Sequence, residues 1–392
     1  MAAGSGLYRG WRWLLLGGLA LVALAGCKSF DRDADKKPAK LTSFEVERKL
    51  KRVWSRNVGN GQGGLYHRLV PAVEGELILA AAHNGQVQAH ELERGRQRWR
   101  TRLKTRLIGG VGAAGEQAWV GTADGRVIAL ALEDGRQLWE YDVRGEVLAP
   151  PQGDGQRVFV QTFDGRVVAL DATTGKRLWS HSDGMPVLTL RGTSTPLLYE
   201  DMVIVGLANG KLVALDRETG GLRWELRVAL PQGSTEIERL VDVDGELLLH
   251  QGTLYAVAYQ GQVVAVDPDT GNRLWGREAS SHVGLAAGLS NVYVVGDNGS
   301  ITAFADNGQG VRWEQTVLAR RQLTAPTRWS SYVAVGDFEG WLHLLSQVDG
   351  SLAARQRVHK SGLRATMLQV DQRLYVYANN GRLAAYELMP ER

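Results

Sequence analysis

The chain has 392 residues, of which 44% are hydrophobic and 22% are charged, and its formal net charge is +4. Its single cysteine excludes an intramolecular disulfide. The mild positive charge is not gathered into a basic stripe with interleaved aromatic residues, so the pattern typical of nucleic-acid-binding proteins is absent.

The first 26 residues have the pattern of a secretory signal. Arg9 and Arg12 form a positively charged start, and an uncharged apolar stretch follows from Trp13 to Ala25. A stretch of about 13 residues suits a signal peptide and falls short of the roughly 20 residues that span a bilayer. We therefore predict that residues 1–26 are a signal peptide, whose removal takes away two arginines and leaves a net charge of +2.

The single cysteine, Cys27, ends the sequence LAGC at 24–27, which resembles a bacterial lipobox. That resemblance implies cleavage before Cys27, a lipid on its sulfur and acylation of the new N-terminus. Two or three acyl chains hold a protein firmly at a membrane, whereas one holds it weakly. The resemblance also implies the outer membrane, because neither Lys28 nor Ser29 is the aspartate that retains such lipoproteins at the inner one. The alternative is an ordinary secretory signal with a chance cysteine.

A polar segment separates this cysteine from the rest of the chain. Residues 28–40 read KSFDRDADKKPAK, which is too charged to form an apolar core. We predict a lipidated cysteine and flexible leash at 27–40 and a folded domain at 41–392. A remainder of about 350 residues would ordinarily suggest two or more domains, but internal repeats favour one.

The repeat has a period near 40 residues. Each copy contains a turn residue and Gly, an alternating apolar stretch, a second Gly turn and a Trp, as in DGRVVALDATTGKRLW. The first Gly precedes the Trp by 14 residues in each of six copies. The repeat tryptophans are Trp99, Trp139, Trp179, Trp224, Trp275 and Trp313. Several short strands in each 40-residue unit are typical of a β-propeller blade.

Four strand-like stretches occur in each copy, for example VLAPPQ, RVFVQT, RVVALDA and RLWSHS in the third. The eighth copy ends before its Trp strand, while Trp54 lies in KRVWSR, ahead of the first copy. We therefore predict an all-β, eight-bladed propeller of four-stranded antiparallel blades, in which residues 50–56 complete the last blade and close the ring. Helix content is predicted to be very low, because no long stretch has a 3.6-residue apolar period.

The repeat tryptophans, Trp54 included, are predicted to be structural. Each is expected to pack its ring on the neighbouring blade and to donate its N–H to a backbone acceptor. The seventh copy has Ala354 at the Trp position, and the sixth has Gln309 at a turn Gly. These two departures are expected to loosen their blades.

No catalytic or metal-binding constellation stands out. Two G-x-G-x-x-G strings, at 59–64 and 110–115, precede strand-like stretches and not the helix that a dinucleotide site requires. The histidines lack zinc-site spacing. The string Asp242-x-Asp244-Gly245-Glu246 hints at a calcium loop but lacks the later ligands, so a solvated turn is favoured. We predict no cofactor beyond the lipid on Cys27.

Two protein families share features with this chain. The Gly and Trp repeats resemble those of the quinoprotein dehydrogenases, eight-bladed enzymes built around pyrroloquinoline quinone; those chains are longer and usually carry an adjacent cysteine pair. A resemblance that covers essentially the whole chain is to the BamB family, lipoprotein subunits of the outer-membrane β-barrel assembly machinery, or Bam complex. It rests on the lipobox, the leash, the eight repeats with a closing strand, and two long connectors. It implies a non-enzymatic scaffold, with a dehydrogenase-like propeller as the alternative.

The two connectors follow one another in the chain. Most intervals from a repeat Trp to the next blade's Gly are 24 to 27 residues, but those after Trp179 and Trp224 are 31 and 37; the interval after Trp54 is also 31. Both long connectors link an outer strand to the next inner strand, so they lie on one face. Long loops on a rigid scaffold are where binding sites are expected.

Five residues of these connectors are candidate contacts: Leu188, Leu190, Arg191, Asp242 and Asp244. Apolar side chains beside an arginine are a frequent composition of interaction hot spots. Strand alternation and a turn also explain these residues, and the sequence alone leaves that choice open. The resemblance to the BamB family implies that these positions bind the periplasmic POTRA domains of BamA, the barrel-forming subunit. Our hypothesis for the mechanism is that the disc then orients the POTRA chain or presents unfolded barrel precursors.

Overall fold

The structure is a computed structural model that describes residues 37–64, 67–184, 186 and 188–390. The predicted signal peptide and Cys27 lie outside these residues. The described residues form 32 strands and no helix, so the described part of the chain has no helix long and apolar enough to cross a membrane. All the strands belong to one compact unit, Ala39–Arg392.

Most strands are short, as expected for propeller blades. In chain order they are β1 (Leu50–Asn57), β2 (Ala72–Glu74), β3 (Leu77–Ala81), β4 (Gln86–Glu91), β5 (Gln97–Arg102), β6 (Leu107–Ala114), β7 (Gln117–Thr122), β8 (Arg126–Ala131), β9 (Gln137–Asp142), β10 (Gln152–Gly153), β11 (Arg157–Gln161), β12 (Arg166–Asp171), β13 (Arg177–Ser182), β14 (Leu197–Tyr199), β15 (Met202–Gly206), β16 (Lys211–Asp216), β17 (Leu222–Arg227), β18 (Leu248–His250), β19 (Thr253–Val257), β20 (Gly261–Val266), β21 (Arg273–Ala279), β22 (Leu285–Gly288), β23 (Asn291–Val295), β24 (Ile301–Ala305), β25 (Val311–Gln315), β26 (Thr327–Trp329), β27 (Tyr332–Gly336), β28 (Trp341–Ser346), β29 (Leu352–Arg357), β30 (Leu368–Val370), β31 (Arg373–Tyr377) and β32 (Arg382–Leu388).

The strands form eight four-stranded antiparallel sheets, which are the blades of a propeller. Blade one is β2 to β5, and each following blade takes the next four strands. The last blade has the order β30-β31-β32-β1, with Leu50 opposite Leu388 and Asn57 opposite Arg382. An N-terminal strand therefore closes the ring, and the predicted fold and its closure are confirmed.

The first strands of neighbouring blades adjoin around the central axis, and the fourth strands lie outermost. One face of the ring, here called the connector face, carries the connectors from fourth to first strands and the turns between second and third strands. The first residue of a connector bonds to the nearby turn: Leu103 N–H donates to Gly85 O, and Val228 N–H to Gly210 O, each at 2.8 Å. The apolar core lies between neighbouring blades.

Each repeat tryptophan docks on the next blade, as predicted. Trp139 donates its indole N–H to Ala172 O at 2.7 Å, in the turn between the third and fourth strands of blade three. Its ring lies on Gly175 of the same turn, which has φ of +71° and where a Cβ would come within 2.6 Å of the ring. Trp54, Trp99, Trp179, Trp224, Trp275 and Trp313 make the equivalent bond at 2.7–3.1 Å.

The expected weakness at Ala354 is wrong, because a tryptophan there would have no turn to dock on. In blade eight the third strand, β32, ends near the C-terminus and the fourth, β1, begins near the N-terminus. Ala354 is buried in blade seven. Trp329, also in blade seven, donates its indole N–H to Gln372 O of blade eight at 2.9 Å. The missing repeat residue is thus a consequence of ring closure.

The departure at Gln309 keeps the docking bond, but Trp275 is only partly buried whereas the other repeat tryptophans are buried. The turn is shifted by one residue, so that Gly308 takes the positive φ of +75°. Trp275 lies on Gly308, where a Cβ would come within 2.5 Å of the indole, and its N–H reaches Asp306 O. The docking contact is therefore kept.

The docking contact predicts a difference between two glycines of blade three. Gly175→Ala and Gly155→Ala both place a side chain at positive φ, but only Gly175 lies against an indole. Positive φ costs about 1–2 kcal/mol, and displacement of Trp139 adds about 1–3 kcal/mol. We expect urea unfolding to show that Gly175→Ala loses more free energy of unfolding than Gly155→Ala. Equal losses would show that the ring contact contributes little.

Candidate functional site

Connector one, residues 183–196, joins blades three and four; residues 185 and 187 lie outside the described part. Its C-terminal end is fixed by Ser194, which is buried between these blades. The Ser194 hydroxyl donates towards Gln161 Oε1 and Gly206 O, both at 3.1 Å, and accepts from Gly206 N–H at 2.7 Å. These bonds give connector one a rigid base.

Connector two, residues 228–247, holds connector one through Asp242. Leu190 N–H donates to Asp242 Oδ2, and Tyr259 N–H donates to the Asp242 carbonyl at 2.8 Å. Asp242 is 0% exposed, and its other carboxylate oxygen has no partner among the described residues. The sequence interpretation of this acid as part of a solvated turn is therefore wrong. Asp242 is a buried brace between the two connectors.

Asp244 makes a second contact with connector one. A Cβ on Gly192 would come within 2.6 Å of Asp244 Oδ2, so the carboxylate packs directly against that glycine. Asp244 also faces Arg68, which reaches from the connector before blade one and donates to His282 O at 2.9 Å. Arg68 is thus the counter-charge of a buried acidic cluster that also includes Glu246.

Burial makes these carboxyl groups weak acids. It raises the pKa of Asp242 to about 6, against the lowering effect of the Leu190 N–H. Burial and the neighbouring Asp242 charge raise the pKa of Asp244 to about 8, while Arg68 opposes the shift. Burial also raises the pKa of Glu246. Near neutral pH the cluster therefore retains protons that isolated acids would have lost.

Leu188 and Arg191 are the exposed members of connector one. Leu188 is 42% exposed, and the Arg191 side chain is 54% exposed. Arg191 Nη2 lies 3.0 Å from both carboxylate oxygens of Glu146, which belongs to the connector between blades two and three. The pair holds the guanidinium beside the surface while most of it stays accessible. Leu190 is only partly exposed, because its N–H points inward to Asp242.

Connector two presents apolar side chains of its own. Glu238 accepts from the N–H groups of Ser234 and Thr235 at 2.8 and 3.0 Å, and its own N–H donates to Thr235 Oγ1 at 3.2 Å. This reciprocal capping box fixes a tight turn. The turn leaves Ile237 68% exposed, and Leu230 of the same connector is also exposed.

The described residues contain no group of three or more His, Cys, Asp or Glu side chains placed to hold a metal ion. The glycine string at 110–115 belongs largely to strand β6 and not to a helix start. A Cβ on Gly112 would lie 1.6 Å from Pro151 O, so this glycine permits close contact between neighbouring blades.

The structure thus separates the five predicted contact residues into two groups. Leu188 and Arg191 are available to a partner, whereas Asp242 and Asp244 are buried behind them, and Leu190 links the groups. Sequence reasoning missed Glu146 because it lies 45 residues from Arg191 in the chain and no pattern connects them. It also missed Ile237 and Leu230, although the T-x-x-E string at 235–238 is a recognisable capping signal.

Comparison with known proteins identifies relatives over nearly the whole chain. The family model described as outer membrane protein assembly factor BamB matches residues 83–315 and 297–388. The outer membrane protein assembly factor BamB of Pseudomonas aeruginosa is 54% identical over 378 residues, covering 96% of this chain and 99% of the relative. The crystal structure of BamB from Moraxella catarrhalis matches with a TM-score of 0.80 and 29% identity, covering 86% of this chain and all of that one.

Enzymes share the fold at lower similarity. A quinohemoprotein alcohol dehydrogenase from Pseudomonas putida HK5 matches with a TM-score of 0.70 over 91% of this chain and 79% of its own, but with 14% identity. That likeness concerns the fold alone. Near-full-length identity and the family model agree with each other, and the chain belongs to the BamB family of outer membrane protein assembly factors.

Proposed function

We propose that the chain is a non-enzymatic scaffold of the β-barrel assembly machinery that binds the periplasmic POTRA domains of BamA through its connector face. By holding BamA it aids the insertion of β-barrel proteins into the outer membrane. The observation that carries the proposal is the exposed pair Leu188 and Arg191, held on a rigid base in a member of an assembly-factor family. The same surface presents unfolded barrel precursors to BamA.

Leu188 and Arg191 are the direct contacts in this proposal. An exposed leucine supplies apolar area, and an arginine supplies a forked cation that suits a carboxylate or backbone carbonyl. Glu146 holds the guanidinium in place before the partner arrives. Ile237 and Leu230 extend the apolar surface onto connector two.

Asp242 and Asp244 act as positioning residues and not as contacts. Both are buried, so a partner cannot reach their carboxyl groups. Asp242 sets the position of Leu190 by accepting its N–H, and Asp244 supports Gly192. Replacement of either acid is therefore expected to impair binding by displacing connector one.

The anchor in this proposal is a lipid on Cys27, which places the propeller on the periplasmic side of the outer membrane. The support is the LAGC sequence at 24–27 and the preceding apolar stretch. Palmitate labelling of the expressed chain tests the anchor, because label should be incorporated into the native chain and be absent from Cys27→Ala. Equal labelling of the two chains would place the lipid elsewhere.

Co-purification from detergent-solubilised outer membranes tests the binding site. We expect Leu188→Ala combined with Arg191→Ala to reduce recovery of BamA at least about tenfold, since each hot-spot side chain contributes about 1–2 kcal/mol. The matched control combines Leu274→Ala with Arg94→Ala, a leucine and an arginine that are more exposed than Leu188 and Arg191 but lie away from the connectors. BamA recovered equally with both double variants would remove connector one as the site.

The buried Asp244 predicts a contribution to stability that is lost as the pH rises. The pKa of Asp244 is about 8 in the folded chain and 3.8 in the unfolded reference, so the folded chain holds a proton that the unfolded chain releases. The contribution of Asp244 to the free energy of unfolding is therefore fully present below about pH 4 and is lost as the pH rises to 8.

Asp244→Asn cannot ionise, so we expect it to reduce this loss by at least about 1.4 kcal/mol, the equivalent of one pKa unit. Urea unfolding at several pH values measures the effect. Asp134→Asn, which removes an exposed carboxylate, controls for the change of net charge. The same pH dependence in Asp244→Asn and the native chain would show that Asp244 is ionised throughout.

A further inference from the structure

A ten-residue segment ahead of β1, here called the N-terminal strap (residues 39–48), runs from the connector face along the outer edge of β29. Ala39 N–H donates to Ala319 O at 2.9 Å, and the N–H groups of Glu47 and Arg48 donate to Ala353 O at 2.9 and 3.1 Å. These three are the backbone N–H groups of the strap that bond to the propeller's backbone. A segment with so few ladder bonds depends on side chains for its position.

A buried acid holds the start of the strap. Asp337 is 0% exposed and accepts from Arg321 Nε at 2.8 Å. The opposite side of the same guanidinium, Arg321 Nη1, donates to Ala39 O at 2.8 Å. Arg321 also pairs with Glu339. The first residue of the strap is therefore linked to a carboxylate inside blade seven.

A buried histidine holds the middle of the strap. His343 is fully buried, and its Nε2 lies 3.0 Å from Asp337 Oδ2. Its Nδ1 accepts from Arg355 Nε at 3.3 Å, so the neutral ring carries its proton on Nε2. Arg355 in turn donates from Nη1 to Thr42 O at 2.9 Å and lies over the Phe44 ring, 4.9 Å from its centre.

Protonation of His343 is incompatible with this arrangement. A proton on Nδ1 would point at Arg355 Nε–H, so that a bond between acceptor and donor becomes a contact between two cations. The charged groups facing the ring are Asp337, Arg355 and Arg321. Burial lowers the pKa of His343 from 6.5, Asp337 opposes that effect, and the two arginines add to it.

Release of the strap would leave the ring closed. The closing strand β1 begins at Leu50, after the strap, and pairs with β32 along its length. Trp54 docks on Leu92 O of blade one independently of the strap. The far end of the strap has its own contact, because Tyr332 Oη bonds to both Glu47 and Arg48. The strap is thus a separable layer on a complete propeller.

We propose that His343 is an acid-sensitive latch: when it is protonated, Arg355 releases Thr42 and Phe44, and residues 39–46 leave the edge of β29, while Glu47 and Arg48 stay bound. The meaning of the latch rests on the proposed lipid at Cys27. With the strap bound, eleven residues (28–38) separate the lipid from the propeller. Release of residues 39–46 adds eight more, which extends the reach of the tether by up to about 28 Å. Acid in the periplasm would then move the scaffold further from the membrane.

Hydrogen exchange of the full mature chain in detergent tests the latch. From about pH 8 to about pH 4, we expect exchange at Ala39, the bonded N–H in the released part of the strap, to rise at least about tenfold after correction for the intrinsic pH dependence. A peptide from β12 should remain protected and serves as the control. His343→Gln keeps a donor and an acceptor but does not titrate, so its strap should stay protected at the lower pH.

Two results would overturn the proposal: a strap equally protected at both pH values, or the same release in His343→Gln. Should that variant unfold, as exchange of β12 would reveal, the imidazole nitrogen shifts of the native chain decide. The latch requires protonation of His343 and release of the strap to share one midpoint. None of these readouts involves BamA or a membrane, so failure of the latch is distinguishable from failure of the proposed function.

Discussion

The propeller depends on one contact repeated around the ring, an indole that lies on the glycine turn of the next blade and donates its N–H to a carbonyl there. Each contact joins two neighbouring blades, so the loss of one contact weakens the junction between those two blades. Ring closure uses the same contact, because Trp54 of the closing strand docks on blade one. At the one junction without a docking turn, between blades seven and eight, Trp329 bonds to a different turn and Ala354 is small.

A rigid ring allows the connector face to hold its loops in a defined shape. Connector one is fixed at its end by Ser194 and along its length by Asp242. Burying carboxyl groups costs free energy, and the raised pKa of Asp244 records that cost. These buried carboxyl groups lie against connector one, where they fix the positions of Leu188 and Arg191. In this account, surface residues recognise the partner and buried acids keep them in place.

The fold could be predicted from the sequence because the repeats are visible as a recurring pattern. The spacing from Gly to Trp predicted eight blades, the docking contacts and the closing strand. The sequence was insufficient wherever distant segments meet. The solvated-turn interpretation of Asp242 failed because its burial depends on a connector 52 residues away. The strand predicted at VLAPPQ is confined to Gln152–Gly153, since Pro150 and Pro151 donate no N–H to a ladder. No sequence pattern predicted the strap, because its partners Arg321 and Arg355 lie about 300 residues away from it in the chain.

The most direct test of the account is in-cell photo-crosslinking from the connector face. A photoreactive amino acid in place of Leu188 should form an adduct whose second component is identified by mass as BamA. The same group in place of Leu289, which is 61% exposed in a turn on the opposite face, should form none. An adduct from position 289 alone, or no BamA adduct from position 188, would contradict binding through the connectors.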